Sequence, residues 1–235
     1  MTTLLDSTAR YSLRLSIDSS LFDDHPSDNL CIARKVNGLY TTIFLGASVN
    51  PTGFQEQLQV ENEFSWYDQY QVYCVKDFKP SVVVSAATNT VNIQYGEETS
   101  YVSNRMSAAR STDTNNFQGG AIGENSAEDS FMVFKIPSHL KAACACKRED
   151  GRYDPIYVDP GHHLTANDDQ ITPSRDFVIF WSDTLVPNAM FHHYKERSGM
   201  KEFSFAEGVT KMSLRFGFAN ASTRAGNEEA QFWVI

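Results

Sequence analysis

Apolar and polar positions alternate from the start of the chain. Tyr11, Leu13, Leu15 and Ile17 are separated by Ser12, Arg14 and Ser16, a period of two that predicts a half-buried strand. An apolar run at Leu30–Ala33 leads to Asn37-Gly38, and Tyr40–Leu45 comes next. Asn-Gly between two such runs predicts a hairpin, because both central residues of its tight turn need positive φ. Further strands are expected at 64–75, 82–86 and 90–95, the last stopping at Gly96. Residues 103–130 are rich in Ser, Asn, Gly, Thr and Asp, and predict a long polar connecting loop. Strand patterning resumes at 131–136. A second hairpin comes after it, with 142–146, the turn Asp150-Gly151, and 153–158. Strands are then expected at 177–181, 186–194, 203–205, 212–218 and 231–235. No segment carries a helical apolar stripe over three turns. Residues 126–131 suit one helical turn, and 192–203 have helical propensity without a stripe.

The two hairpins resemble one another at an offset of 113, which aligns Cys31 with Cys144, Gly38 with Gly151, Tyr40 with Tyr153 and Ile43 with Ile156. The order of elements downstream of each hairpin also repeats. A loop comes first, then an aromatic strand ("YQVYC" at 70–74, "FVIFW" at 177–181), a short apolar strand, and a strand ending in Gly96 or Gly208. One β half alone would leave open edges and a bare apolar face, which a second half can cover. The expected fold is all-β: a duplicated β-meander forming a β-sandwich or pseudo-twofold β-barrel, with little or no helix. The 235 residues make a single domain of two related halves, 1–102 and 131–235, joined by 103–130.

Composition narrows the function classes. With 20 Lys and Arg against 29 Asp and Glu the net charge is −9, which disfavours nucleic acid and anionic membrane surfaces as partners. The short basic runs Arg34-Lys35 and Lys147-Arg148 have the position of ordinary strand ends. The N-terminus has neither a basic n-region nor an apolar h-region, and no stretch approaches the roughly 18 apolar residues of a membrane span. Four cysteines, Cys31, Cys74, Cys144 and Cys146, are too few for a disulfide scaffold in a chain of this length. They are expected to be reduced and buried, in a cytoplasmic protein.

The segments "ARKVNGLY", "NEFSWYDQYQVY" and "SAATNTVNIQYG", within about residues 30–100, resemble a pattern in uncharacterised β-rich proteins of filamentous fungi. The resemblance implies the β-rich fold and a fungal source. It carries no activity and no site residue.

Candidate chemistry lies in three places. His162-His163 and His192-His193 are adjacent pairs, so on a strand only one member of each can face a given pocket. With Asp168 or Asp169 they suggest a two-His, one-carboxylate set, but the spacing matches no metal motif and no metal is expected. As acid–base groups, His162, His192 and Asp168 are the catalytic candidates if the protein is an enzyme. Cys144 and Cys146 share one strand face, and without a second cysteine pair they suit core packing better than zinc. The aromatic strands carry the ligand-binding candidates: Trp66, Tyr70 and Tyr73, then Phe177 and Trp181, with Tyr157 on the second hairpin. Alternation places Trp66 and Tyr70 on one face, and Phe177, Ile179 and Trp181 on another single face. Such rings belong to a core, or line a mouth between the two halves.

Neither a dinucleotide or phosphate-binding glycine loop nor a GxSxG elbow is present. The expected function is therefore a lectin-like small-ligand binding protein, carbohydrate included, with an aromatic pocket between the halves, no cofactor, and a homodimer left open. The alternative is a cyclase or isomerase of fungal secondary metabolism, using the same pocket and His/Asp acid–base groups.

Overall fold

The computed structural model describes residues 9–22, 27–51, 56–111, 129–192, 200–218 and 230–235. The strands are β1 (Arg10–Ile17), β2 (Asn29–Val36), β3 (Leu45–Ser48), β4 (Glu56–Gln57), β5 (Glu61–Val75), β6 (Val91–Ile93), β7 (Glu97–Val102), β8 (Arg105–Met106), β9 (Arg110–Ser111), β10 (Phe131–Ile136), β11 (Lys141–Arg148), β12 (Tyr153–Val158), β13 (Asn167–Ile171), β14 (Pro173–Ser182), β15 (Lys201–Ser204), β16 (Lys211–Gly217) and β17 (Gln231–Val234). Among the described residues the one helical piece is a 3-10 turn at Ser19–Leu21, so the chain is all-β. No helix among them is long and apolar enough to cross a membrane.

Among the described residues three sheets form, in the orders β12-β11-β5-β1-β16-β17 with β6 added to β5, β13-β10-β7-β8 with β9 added to β7, and β15-β14-β2-β3-β4. The pairings repeat from one half of the chain to the other. Within the halves, β2–β3 matches β11–β12, β5–β6 matches β14–β15, and β7–β9 matches β16–β17, all antiparallel. Across the halves, antiparallel β2–β14 matches β11–β5, and parallel β1–β16 matches β7–β10. Each hairpin therefore lies against the aromatic strand of the other half. The halves are interleaved rather than stacked as two self-contained meanders, and each covers edges that the other would leave unpaired. The positive-φ glycines agree, with Gly38 matching Gly151 and Gly96 matching Gly208.

The strand register refines the offset. The first turn holds two residues, closed by the Val36–Leu39 backbone pair, whereas the second holds three between Arg148 and Arg152. The offset of 113 therefore fits the turn glycines and the outgoing strands, while the incoming strands match at 112. Ile32 and Cys144, not Cys31 and Cys144, are the residues that share the central core.

That core is one large cluster of aliphatic and aromatic side chains between the sheets, with Trp66 at its middle. Trp66 is 1% exposed, and its ring lies 5.1–5.9 Å from those of Tyr11, Phe44, Phe177 and Phe205. Two smaller clusters lie on outer faces, around Phe180 and around Tyr73.

Several expected strands differ. Residues 82–86, and 186–192 of the strand expected at 186–194, form isolated bridges, Val83 to Ala189 and Thr42 to Met190, not strands. Val82 and Val83 are exposed, so apolar identity alone placed them wrongly. The strand expected at 90–95 is confined to β6. The start of the 103–130 segment is not loop: β8 and β9 pair with β7, and Met106 is buried. The rest of that segment, 112–128, lies outside the described residues, as do residues 126–128 of the helical turn expected at 126–131 and residues 193–199; the described remainder of that turn, 129–131, is not helical and leads into β10.

Candidate functional site

A cleft of about 510 Å³ opens beside the long strand β5. Its walls include Asp68, Gln69 and Tyr70 of β5, Asn92 of β6, Gln94 and Tyr95 of the adjoining turn, and Tyr153 at the start of β12. Alternation on β5 puts Phe64, Trp66, Tyr70 and Val72 into the core, and Asp68 falls in the same phase. Here the ladder with β11 breaks: Cys146 faces Tyr70 while Lys147 faces Tyr67, so β5 carries two extra residues, Asp68 and Gln69. Such bulges re-aim side chains, and this one lies between the core and the cleft.

Asp68 meets a buried cation. Arg34, 2% exposed, donates from Nη1 to Asp68 Oδ1 at 2.9 Å and from Nε to the Ser174 carbonyl at 2.7 Å. Its guanidinium lies between two rings, 5.5 Å from the centre of Tyr70 and 5.6 Å from that of Phe177, which adds cation–π attraction on both faces. Tyr70 and Phe177 are matching residues of the two aromatic strands. Cys146, the match of Arg34 at offset 112, has its Sγ 3.7 Å from Arg34 Nη1. The charge therefore sits where the halves meet. Burial opposes it, but Tyr70 and Asp68 more than offset that, and the Arg34 pKa lies well above its ordinary value. Arg34 is thus not the ordinary strand end expected. The signal was its phase, since Leu30, Ile32 and Val36 alternate into the same core.

From Asp68 the polar chain runs into the cleft. Tyr70 donates to Asp68 Oδ1 at 2.9 Å, and the Tyr70 and Tyr95 hydroxyls lie 2.7 Å apart. Burial raises the pKa of both phenols, so both are protonated at neutral pH. The Tyr95 ring packs against Tyr70 and Phe131. Asn92 is held by Gln71, which donates to its Oδ1 at 2.9 Å.

The six aromatic candidates divide. Tyr70 alone among them lines this cleft. Trp66, Phe177, Trp181 and Tyr157 belong to the central core, where their rings fill the space between the sheets, and Tyr73 packs on an outer face with Val75, Val158 and Met190. Asp68, Tyr95 and Asn92 were not anticipated. A carboxylate in phase with Trp66 and Tyr70 was the available signal for Asp68. Nothing local marked Asn92.

The histidine and carboxylate candidates lie elsewhere, displaced by one position. His162 and Asp168 are exposed, and Asp168 accepts from the Lys135 N–H at 2.8 Å. Their neighbours point inward. His163 Nε2 lies 2.6 Å from Asp159 Oδ2, and Lys141 donates to the Gly161 carbonyl. Asp169 has its Oδ2 buried with no donor. Burial, then the nearby Asp159, push its carboxyl up to about 7, and the Tyr157 hydroxyl offsets part of this. Asn37 of the first hairpin turn reaches this cluster, donating to the Tyr157 hydroxyl at 3.4 Å. His192 is exposed, with its ring 4.4 Å from that of Phe78. Among the described residues no group of three His, Cys, Asp or Glu side chains is arranged to hold a metal ion.

All four cysteines are free and buried. Burial raises the thiols of Cys74, Cys144 and Cys146, the first and last to about 12, so these three are not activated nucleophiles.

No family model, no curated protein and no solved structure matches this chain.

Proposed function

We propose that the protein binds a small polar ligand, a carbohydrate of monosaccharide size, in the cleft beside β5. The observation that carries this reading is the pairing of rings with fixed polar groups in one cleft. Tyr95 and Tyr153 offer faces for sugar C–H groups, while Asp68, Gln69, Asn92 and Gln94 offer hydrogen bonds to hydroxyls. The Arg34–Asp68 pair holds Tyr70 and Tyr95 in place beforehand, which reduces the ordering cost of binding. The four buried free thiols support a reducing compartment, the cytoplasm.

The test is titration with a panel of free hexoses and N-acetylhexosamines, read by saturation-transfer NMR and calorimetry. Saturable binding that Asn92→Ala and Tyr153→Ala each weaken by about tenfold or more is expected. Absence of saturable binding across the panel, or binding indifferent to both substitutions, would overturn the reading.

A second reading, a cyclase or isomerase, draws on the His163–Asp159 hydrogen-bonded pair beside Asp169, whose carboxyl is raised by burial, since an imidazole and carboxyls within reach of one another suit acid–base work. Turnover of an apolar polyene or polyketide that His163→Gln abolishes in a folded protein would favour it over the first.

A further inference from the structure

We propose that the chain Arg34–Asp68–Tyr70–Tyr95 fixes the direction of each proton along it, so that Tyr95 meets the ligand as a hydrogen-bond acceptor and the cleft selects molecules presenting a hydroxyl or amine N–H there. This rests on the ligand-binding reading of the cleft and specifies the chemistry of one contact within it.

The order comes from counting protons. Asp68 is ion-paired to Arg34 at 2.9 Å, and an ionised carboxylate only accepts. The Tyr70 hydroxyl, 2.9 Å from the same Oδ1, must therefore give its single proton to Asp68. Tyr70 then has only lone pairs for Tyr95, so the 2.7 Å contact between the two phenols uses the Tyr95 proton. Tyr95 makes no other hydrogen bond within the described residues, and what remains on its oxygen is acceptor capacity. A ligand acceptor at that point would either face lone pairs or draw the Tyr95 proton away from a buried Tyr70 oxygen, leaving that oxygen unsatisfied. The first link is set where the two halves meet, by a cation held between Tyr70 and Phe177. Specificity in the cleft is thus decided by a residue, Arg34, that does not line it.

Tyr95 is the specificity-determining group in this scheme and Arg34 a positioning residue, and two measurements test it. The first needs no ligand. In protein labelled with carbon-13 tyrosine, the hydroxyl protons are located by their nuclear Overhauser contacts. The Tyr95 hydroxyl proton is expected against the Tyr70 ring, and it should shift and exchange faster in Tyr70→Phe. A Tyr95 proton unaffected by Tyr70→Phe would overturn the proposal.

The second uses the deoxyfluoro derivatives of glucose, galactose and mannose, which keep a weak acceptor at one carbon and lose its donor. One position is expected to lose about tenfold in affinity on fluorination. In Tyr70→Phe, where the Tyr95 proton is released to turn outward, that loss should shrink to about threefold or less. Fluorination tolerated at every position by a sugar that does bind would overturn the proton order and leave the binding site standing. If none of the sugars binds while the hydroxyl protons lie as stated, the carbohydrate reading falls and the proton order is supported.

Discussion

Replacing Asp169 by Asn should remove most of one slope from the stability–pH curve. Asp169 is half-buried as a residue, but its Oδ2 is sealed from solvent without a donor. The charged groups around it give little relief. Asp159 is of the same sign and already holds His163, and the Tyr157 hydroxyl offsets only part of the penalty. The carboxyl is consequently pushed up to about 7 from an ordinary value of 3.8. The native state then binds this proton more tightly than the unfolded chain does. Its contribution to stability is complete below pH 3.8, declines as pH rises, and is lost once pH passes about 7. At 1.36 kcal/mol per unit, the loss amounts to roughly 4 kcal/mol. Asn cannot ionise, so the stability of Asp169→Asn relative to the parent should rise by about 3–4 kcal/mol between pH 4 and pH 8.5. Urea unfolding at half-unit intervals measures this directly, and taking the difference cancels groups common to both proteins. A difference that stays flat across this range would refute the reasoning. So would a carbon-13 titration of the Asp169 carboxyl with its midpoint below pH 5.

The same geometry sets other expectations. Arg34→Met should destabilise by about 3–5 kcal/mol in chemical unfolding, because Asp68 is left buried without its cation. The double variant Arg34→Met/Asp68→Leu should recover much of that loss, and a double variant as unstable as the single one would argue against the ion pair as the cause. The thiols should resist a colourimetric disulfide reagent at pH 8 until the protein unfolds, since all four are buried; rapid labelling of the native protein would contradict this. Gly151 has φ +87° with open space where a Cβ would lie, so Gly151→Ala should cost about 1–2 kcal/mol through backbone conformation alone, measurable as a lowered melting temperature.

The two aromatic strands show how far the linear chain carries. Period-two alternation put Trp66 and Tyr70 on one face of β5, and Phe177, Ile179 and Trp181 on one face of β14, and all five belong to the central core. Side-chain direction within a strand is local, so it survives into the fold unchanged. The Asn37-Gly38 turn, the all-β class and the repetition of elements were legible for the same reason: each depends on residues close together in sequence. Which strand lies beside which was not. The exchange of β2 and β11 between the halves pairs each with the aromatic strand of the other half, and no single segment records it. The one-residue difference between the hairpin turns was hidden because matched glycines drew the alignment to a common offset of 113.

The site divides along the same line. Composition and alternation determined that rings and carboxylates would share sheet faces in this protein. Only the tertiary structure decided that Trp66, Phe177 and Trp181 fill space while Tyr70 and Tyr95 border it. The same holds for the histidine region, where His163 and Asp169 turn inward and His162 and Asp168 do not. Arg34 and Asp68 are 34 residues apart and on different sheets, and their pairing depends on a bulge in β5. Charges choose partners by distance in space and by the dielectric around them, and both quantities exist only once the sheets have closed.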